Sequence, residues 1–150
     1  MRTYPLYLNG AFVQSEPAWD VVNPANEEPF ARISTIDRAG LAQAIADAHA
    51  AFPSWRALTA KARGEYLRRM AAELDQRREE VARLISSENG KPLSQSLGEV
   101  ALSVDHFQWF AEEGRRAYGR IIPPQAEGKR NLVVKSPIGV VGAICPPVMP

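Results

Sequence analysis

Several things are scarce in these 150 residues, and each absence narrows the reading. Cys145 is the only cysteine, so an internal disulfide and any zinc site built from several thiolates are excluded, and a reducing compartment fits. Neither sign of charge dominates: 18 basic and 17 acidic side chains leave a formal net charge of +1, and they are mixed along the chain. Composition therefore builds no basic face for nucleic acid. The clustered pair Lys129 and Arg130 follows Gly128 and reads most simply as a solvated loop tip. No apolar run approaches the roughly 20 residues needed to span a bilayer. The longest such stretch, Ile138 to Pro150, is broken by glycines and prolines, and the opening MRTYPLYLNGAFVQ lacks the apolar centre of a signal peptide. A cytoplasmic protein with no membrane partner is the expectation.

What is present is enough apolar material for a core, with 45% hydrophobic and 23% charged residues. Tyr7-Leu8 and Ala11-Phe12-Val13 flank Asn9-Gly10, the dipeptide that tolerates the positive φ angles of a two-residue hairpin turn. Val21-Val22 runs into Asn23-Pro24, and Phe30 to Ile33 is a further short strand. From Asp37 the period becomes helical. Leu41, Ala44, Ile45, Ala48 and Phe52 form a stripe behind a capping aspartate, and Pro53 is expected to end or kink this helix. Thr59 caps a second helix with Tyr66, Leu67, Met70, Ala71 and Leu74 on one side. Val81, Ala82, Leu84 and Ile85 mark a third, closed at Asn89-Gly90. Leu93, Leu97, Val100, Ala101, Val104, Phe107 and Ala111 give the longest stripe.

After Gly119, Arg120-Ile121-Ile122 and Asn131 to Val134 bracket a connection bearing proline and glycine, which predicts a projecting antiparallel hairpin. Gly139 to Cys145 is a continuous apolar, β-branched run of the kind buried on both faces of a parallel sheet. Such a strand needs parallel neighbours.

These segments, in this order, resemble the aldehyde dehydrogenase superfamily over nearly the whole chain. The resemblance is carried by Tyr7 to Gly10, Val22-Asn23-Pro24-Ala25, Ala48 to Phe52 with Trp55-Arg56, and Arg63 with Leu67-Arg68-Arg69. It continues through Glu88-Asn89-Gly90-Lys91-Pro92, Gly98-Glu99, and Pro137 to Ile144. The run Trp109 to Glu113 leading to Tyr118-Gly119 and Ile122-Pro123 looks most like the succinate-semialdehyde dehydrogenase branch. The resemblance implies an α/β fold made of amino-terminal helices, small β-hairpins and the first strand of a parallel dinucleotide-binding sheet. Residues 1–118 would belong to the cofactor-binding domain, 119–137 to an oligomerisation hairpin joining identical subunits, and 138–150 to that first strand.

The same resemblance implies an NAD- or NADP-dependent oxidation of an aldehyde to the carboxylic acid, by a cysteine thiolate and a glutamate-activated water. Both those residues are expected beyond position 150, so the segment should hold no catalytic residue and be inactive by itself. Ile144, Cys145, Pro146, Pro147 and Val148 would line the cofactor cleft. Cys145, in an apolar strand end without a neighbouring base, is expected to be structural. His49 and His106 lack metal-ligand spacing, and no metal site is expected. The family reads Pro-Trp-Asn-x-Pro where this chain has Pro146-Pro147-Val148-Met149-Pro150. In the family that asparagine helps stabilise the oxyanion, and loss of one such donor costs about a hundred- to thousand-fold in rate. A non-catalytic relative that associates with full-length subunits is therefore the alternative reading.

Overall fold

The computed structural model describes residues 1–16 and 18–144. Two small sheets open the chain. Strands β2 (Leu6–Leu8) and β3 (Ala11–Val13) pair antiparallel, Leu6 opposite Val13. The turn between them has φ of 46° at Asn9 and 83° at Gly10, the pair of left-handed residues that Asn-Gly supplies at least steric cost. The second sheet has three strands. Here β4 (Ala18–Asn23) and β5 (Glu28–Ser34) are antiparallel, with a register shift at Val21/Val22. Strand β1 (Arg2–Tyr4) lies parallel to β5, Arg2 opposite Ala31. Three residues are too few to show a period, and the parallel pairing of β1 joins segments far apart in sequence.

Four helices follow. Asp37 accepts from the Gly40 amide at 2.7 Å and starts α1 (Arg38–Ala57); Thr59 accepts from Ala62 N at 3.2 Å and starts α2 (Ala60–Gln76). Both caps satisfy donors that the first turn leaves free. Pro53 does not end α1, which continues through Ala57. Proline lacks an N–H and so leaves the His49 carbonyl without its helical donor, but the remaining turn holds, with Ser54 Oγ donating to Ala51 O at 2.9 Å. Helix α3 (Arg78–Asn89) ends at Gly90 with φ of 72°, and α4 (Leu93–Glu113) begins behind Pro92. A 3-10 turn, Gly114–Arg116, leads to the expected hairpin of β6 (Arg120–Ile122) and β7 (Asn131–Val133).

The core sits where α4 packs on α2 and α3. Its buried apolar residues are Ala71, Ala82, Val100, Val104 and Ala111, with Ala31 of β5 the further one. Small side chains allow close approach: a Cβ on Gly64 of α2 would lie 2.8 Å from the carbonyl oxygen of Ala111, so α2 and α4 nearly touch backbone to backbone. Buried Ser96 of α4 meets Ser86 of α3 at 2.9 Å, which satisfies both hydroxyls. Tyr66 and Met70 flank this interface and remain about half exposed.

The rest is far more open. Helix α1 buries no residue, and Leu41 and Ile45 of its stripe are half exposed. Residues 139–144 take no strand conformation, and Ile138 and Ile144 are almost wholly exposed. The expected strand at Gly139 is thus not formed in residues 139–144; among the described residues no strand pairs with this segment, and an unpaired strand gains nothing. The total accessible surface of 11944 Å² compares with about 7,500 Å² for a compact chain of this size.

Candidate functional site

The motifs that carry the family resemblance assemble chiefly into joints. At the β4–β5 turn, Asn23 Oδ1 accepts from Ala25 N at 2.9 Å and Asn23 O accepts from Glu27 N at 2.8 Å. That turn is an Asx turn, and it pushes Pro24 outward against the end of α3. A Cβ on Gly90 would lie 3.0 Å from Pro24 Cγ. The Asn-Pro turn and the Asn-Gly helix end, 66 residues apart in the chain, therefore meet, and glycine is required there both by its positive φ and by proline's approach.

Lys91 follows directly. Its Nζ donates to Glu99 Oε2 at 2.7 Å, with side chains 7% and 24% exposed. A lysine so covered needs its partner, since an unpaired charge there loses hydration without return. The pair clamps the start of α4 to the end of α3. Across the other interface, Arg68 reaches Glu112 of α4 and Glu65 of its own helix, each at 3.3 Å. Arg63 donates to the Leu58 carbonyl and fixes the corner between α1 and α2. Trp55 of α1 meets Tyr66 of α2 edge to face at 5.5 Å, and Arg69, one turn along α2, lies over the same Tyr66 ring.

Chemistry-bearing groups are not brought together. His49 and His106 are exposed, and among the described residues no cluster of three or more His, Cys, Asp or Glu side chains could hold a metal ion. Lys129 and Arg130 are exposed between β6 and β7. The resolved pKa shifts belong to surface ion pairs: Arg32 is raised by its hydrogen bond to Asp20, Arg77 is raised by Glu80, and Glu80 is lowered by its hydrogen bond from Arg77. Of the five positions expected at a cofactor cleft, Ile144 is 99% exposed, and Cys145, Pro146, Pro147 and Val148 lie outside the described residues. No helix among the described residues is long and apolar enough to cross a membrane.

The comparisons with known proteins decide the family. A profile of the aldehyde dehydrogenase family matches residues 12–149. The chain belongs to the aldehyde dehydrogenase family. Among curated relatives it is 40% identical over 142 residues to glutarate-semialdehyde dehydrogenase of Pseudomonas putida, covering 93% of this chain and 30% of that protein. It is likewise 40% identical over 141 residues to the NADP-dependent succinate-semialdehyde dehydrogenase of Escherichia coli, covering 93% and 29%. The solved succinate-semialdehyde dehydrogenase of Burkholderia pseudomallei superposes with a TM-score of 0.85 at 35% identity, over 91% of this chain and 29% of that one.

This aldehyde dehydrogenase segment thus spans about 30% of the length of the curated relatives it matches. The family's fold accounts for the α/β arrangement of four helices and small sheets found among the described residues. The joint at Pro24 and Gly90 and the Lys91–Glu99 clamp escaped the sequence reading as contacts, although the motifs themselves were legible.

Proposed function

We propose that the chain forms framework of an NAD(P)-dependent aldehyde dehydrogenase that oxidises a small aldehyde to its carboxylic acid. The observation that carries this is the match of residues 12–149 to the family. Succinate semialdehyde is the first candidate substrate. Relatives of equal identity are named for glutarate semialdehyde, 3-sulfolactaldehyde and succinate semialdehyde, aldehydes that share a second, anionic end. An aldehyde of that class is the coarser and better supported assignment.

In this reading residues 1–118 belong to the cofactor-binding domain, 119–137 form an oligomerisation hairpin, and 138–150 enter the dinucleotide-binding sheet. The exposure of Ile121 and Val134 along that hairpin, 84% and 78%, supports a role in joining subunits. Ile144 to Val148 would wall the cofactor cleft with apolar side chains and backbone carbonyls, the prolines offering no N–H. NAD or NADP, when bound, would accept the substrate's hydride. This chain's own part is to orient the strand at Gly139 through the packed helices; it supplies no nucleophile or general base, and residues 1–150 alone are inactive.

A chimera tests this. Residues 1–144 in place of the matching segment of the Burkholderia enzyme are expected to leave aldehyde-dependent NAD(P)H formation within about threefold, whereas residues 1–150 should lower it by about a hundred- to thousand-fold, with Val148→Asn restoring it. A folded 1–144 chimera without activity would contradict the framework role. Val148 also favours a second reading, a non-catalytic relative associating with full-length subunits. Co-purification with an intact family member, lost on deletion of residues 121–134, supports it; retention of full activity by the 1–150 chimera removes its motive.

A further inference from the structure

Where α1 ends and α2 begins, the structure holds a cleft of about 590 Å³ that also touches the segment after β7. Its volume lies in the range of small-molecule sites. Three cations line it, Arg56, Arg63 and Lys135, and no acidic side chain does. Among the described residues Arg56 and Lys135 form no ion pair, whereas Arg68, Arg77, Arg78, Arg83 and Arg116 are each paired with a nearby carboxylate. Arg63 is held in place by the Leu58 carbonyl. Ala60, the first residue of α2, is a further wall, so the positive end of that helix adds to the field. Phe52 and Trp55 give the cleft an aromatic side, the latter steadied edge-on by Tyr66, and Gly114, Ala117, Val134, Ser136 and Pro137 complete the lining.

We propose that this cleft binds a small organic anion in which a phosphate is joined to a flat aromatic body, the nucleoside monophosphate class. Arg56, Arg63 and Lys135 take the phosphate, whose charge of about −1.5 to −2 matches a cluster of unpaired cations better than a single carboxylate does. Guanidinium groups add planar, paired hydrogen bonds to phosphate oxygens. Phe52 and Trp55 take the ring by stacking. Binding here needs no catalytic step and stands apart from the dehydrogenase reading, whose chimera assay would fail or succeed independently.

The test is calorimetric titration of the protein at its natural length, with the dehydrogenase cofactor cleft saturated by NADP, using AMP beside adenosine and inorganic phosphate. AMP is expected to bind saturably, adenosine about tenfold or more weakly. The double variant Arg56→Ser/Lys135→Ser, with Arg63 left intact because it fixes the α1–α2 corner, should weaken AMP at least about tenfold. Trp55→Leu should weaken AMP while leaving inorganic phosphate unchanged, with helical circular dichroism confirming that each variant is folded. No AMP binding at millimolar concentration, or a smaller loss in the double variant, overturns the proposal; the latter would place the nucleotide elsewhere on the protein.

Discussion

The interface of α2, α3 and α4 and the arm formed by α1, the β6–β7 hairpin and residues 138–144 carry apolar residues of similar kinds, yet only the first buries them. At the former, Val100 and Ala71 are 2% exposed; on the latter, Ile45 is 53% and Ile121 84% exposed. Hydrophobicity alone therefore does not build a core. The packed helices combine their stripes with a glycine that admits a neighbouring backbone, a serine pair that satisfies its own polar atoms, and the Lys91–Glu99 clamp. The arm has one aromatic tie, Trp55 to Tyr66, and large side chains that need a surface opposite them. The solved relatives offer a reason: their chains are more than three times as long as the part matched here, and the framework reading assigns the arm's apolar faces to contacts outside this segment.

The sharpest break in the comparison comes from Gly64. Because a Cβ there would sit 2.8 Å from Ala111 O, Gly64→Val should force the two helices apart and cost about 3 kcal/mol, read as a lower urea midpoint by helical circular dichroism. Equal stability in the variant would mean that α2 and α4 are not in close contact. Lys91→Met leaves Glu99 partly covered without its cation and is expected to cost about 2 kcal/mol. Reversing the pair as Lys91→Glu/Glu99→Lys should recover part of that loss, which a purely steric effect would not do. Val100→Ala removes two buried carbon groups and should cost about 1.5 kcal/mol. The matching change on the open side, Ile45→Ala, should stay within about 0.5 kcal/mol.

Much of this was legible from the residues alone, and the reason differs by element. Asp37, Thr59 and Gly90 declare helix ends because each answers a local need, a free amide or a left-handed backbone. Asn9-Gly10 declares its turn for the same reason. What escaped is what joins distant segments: β1 against β5, Pro24 against Gly90, and the burial of Ser96. None of these is encoded in a period. The strand expected from Gly139 shows the converse, since a β-branched run states a preference that only neighbouring strands can realise. For the candidate site, the cofactor positions were inferred from resemblance, and the described residues reach only the first of them, Ile144.

The smallest expected effect concerns acid. Glu80, in the first turn of α3, is held below the ordinary glutamate range by its hydrogen bond from Arg77. Its contribution is present above the unfolded-state pKa and is lost as pH falls through the lower folded value. NMR titration should show Glu80 protonating below the ordinary glutamate range, and Arg77→Ala should return it toward that range with little change in the α2–α4 interface.

Hydrogen exchange followed by mass spectrometry on the 150-residue chain tests the central claim most directly. Amides of Gly64–Leu74 and Leu97–Phe107 should exchange far more slowly than those of Leu41–Phe52, Ile121–Val134 and 138–144. Equal protection across all five segments would contradict a core centred on α2, α3 and α4.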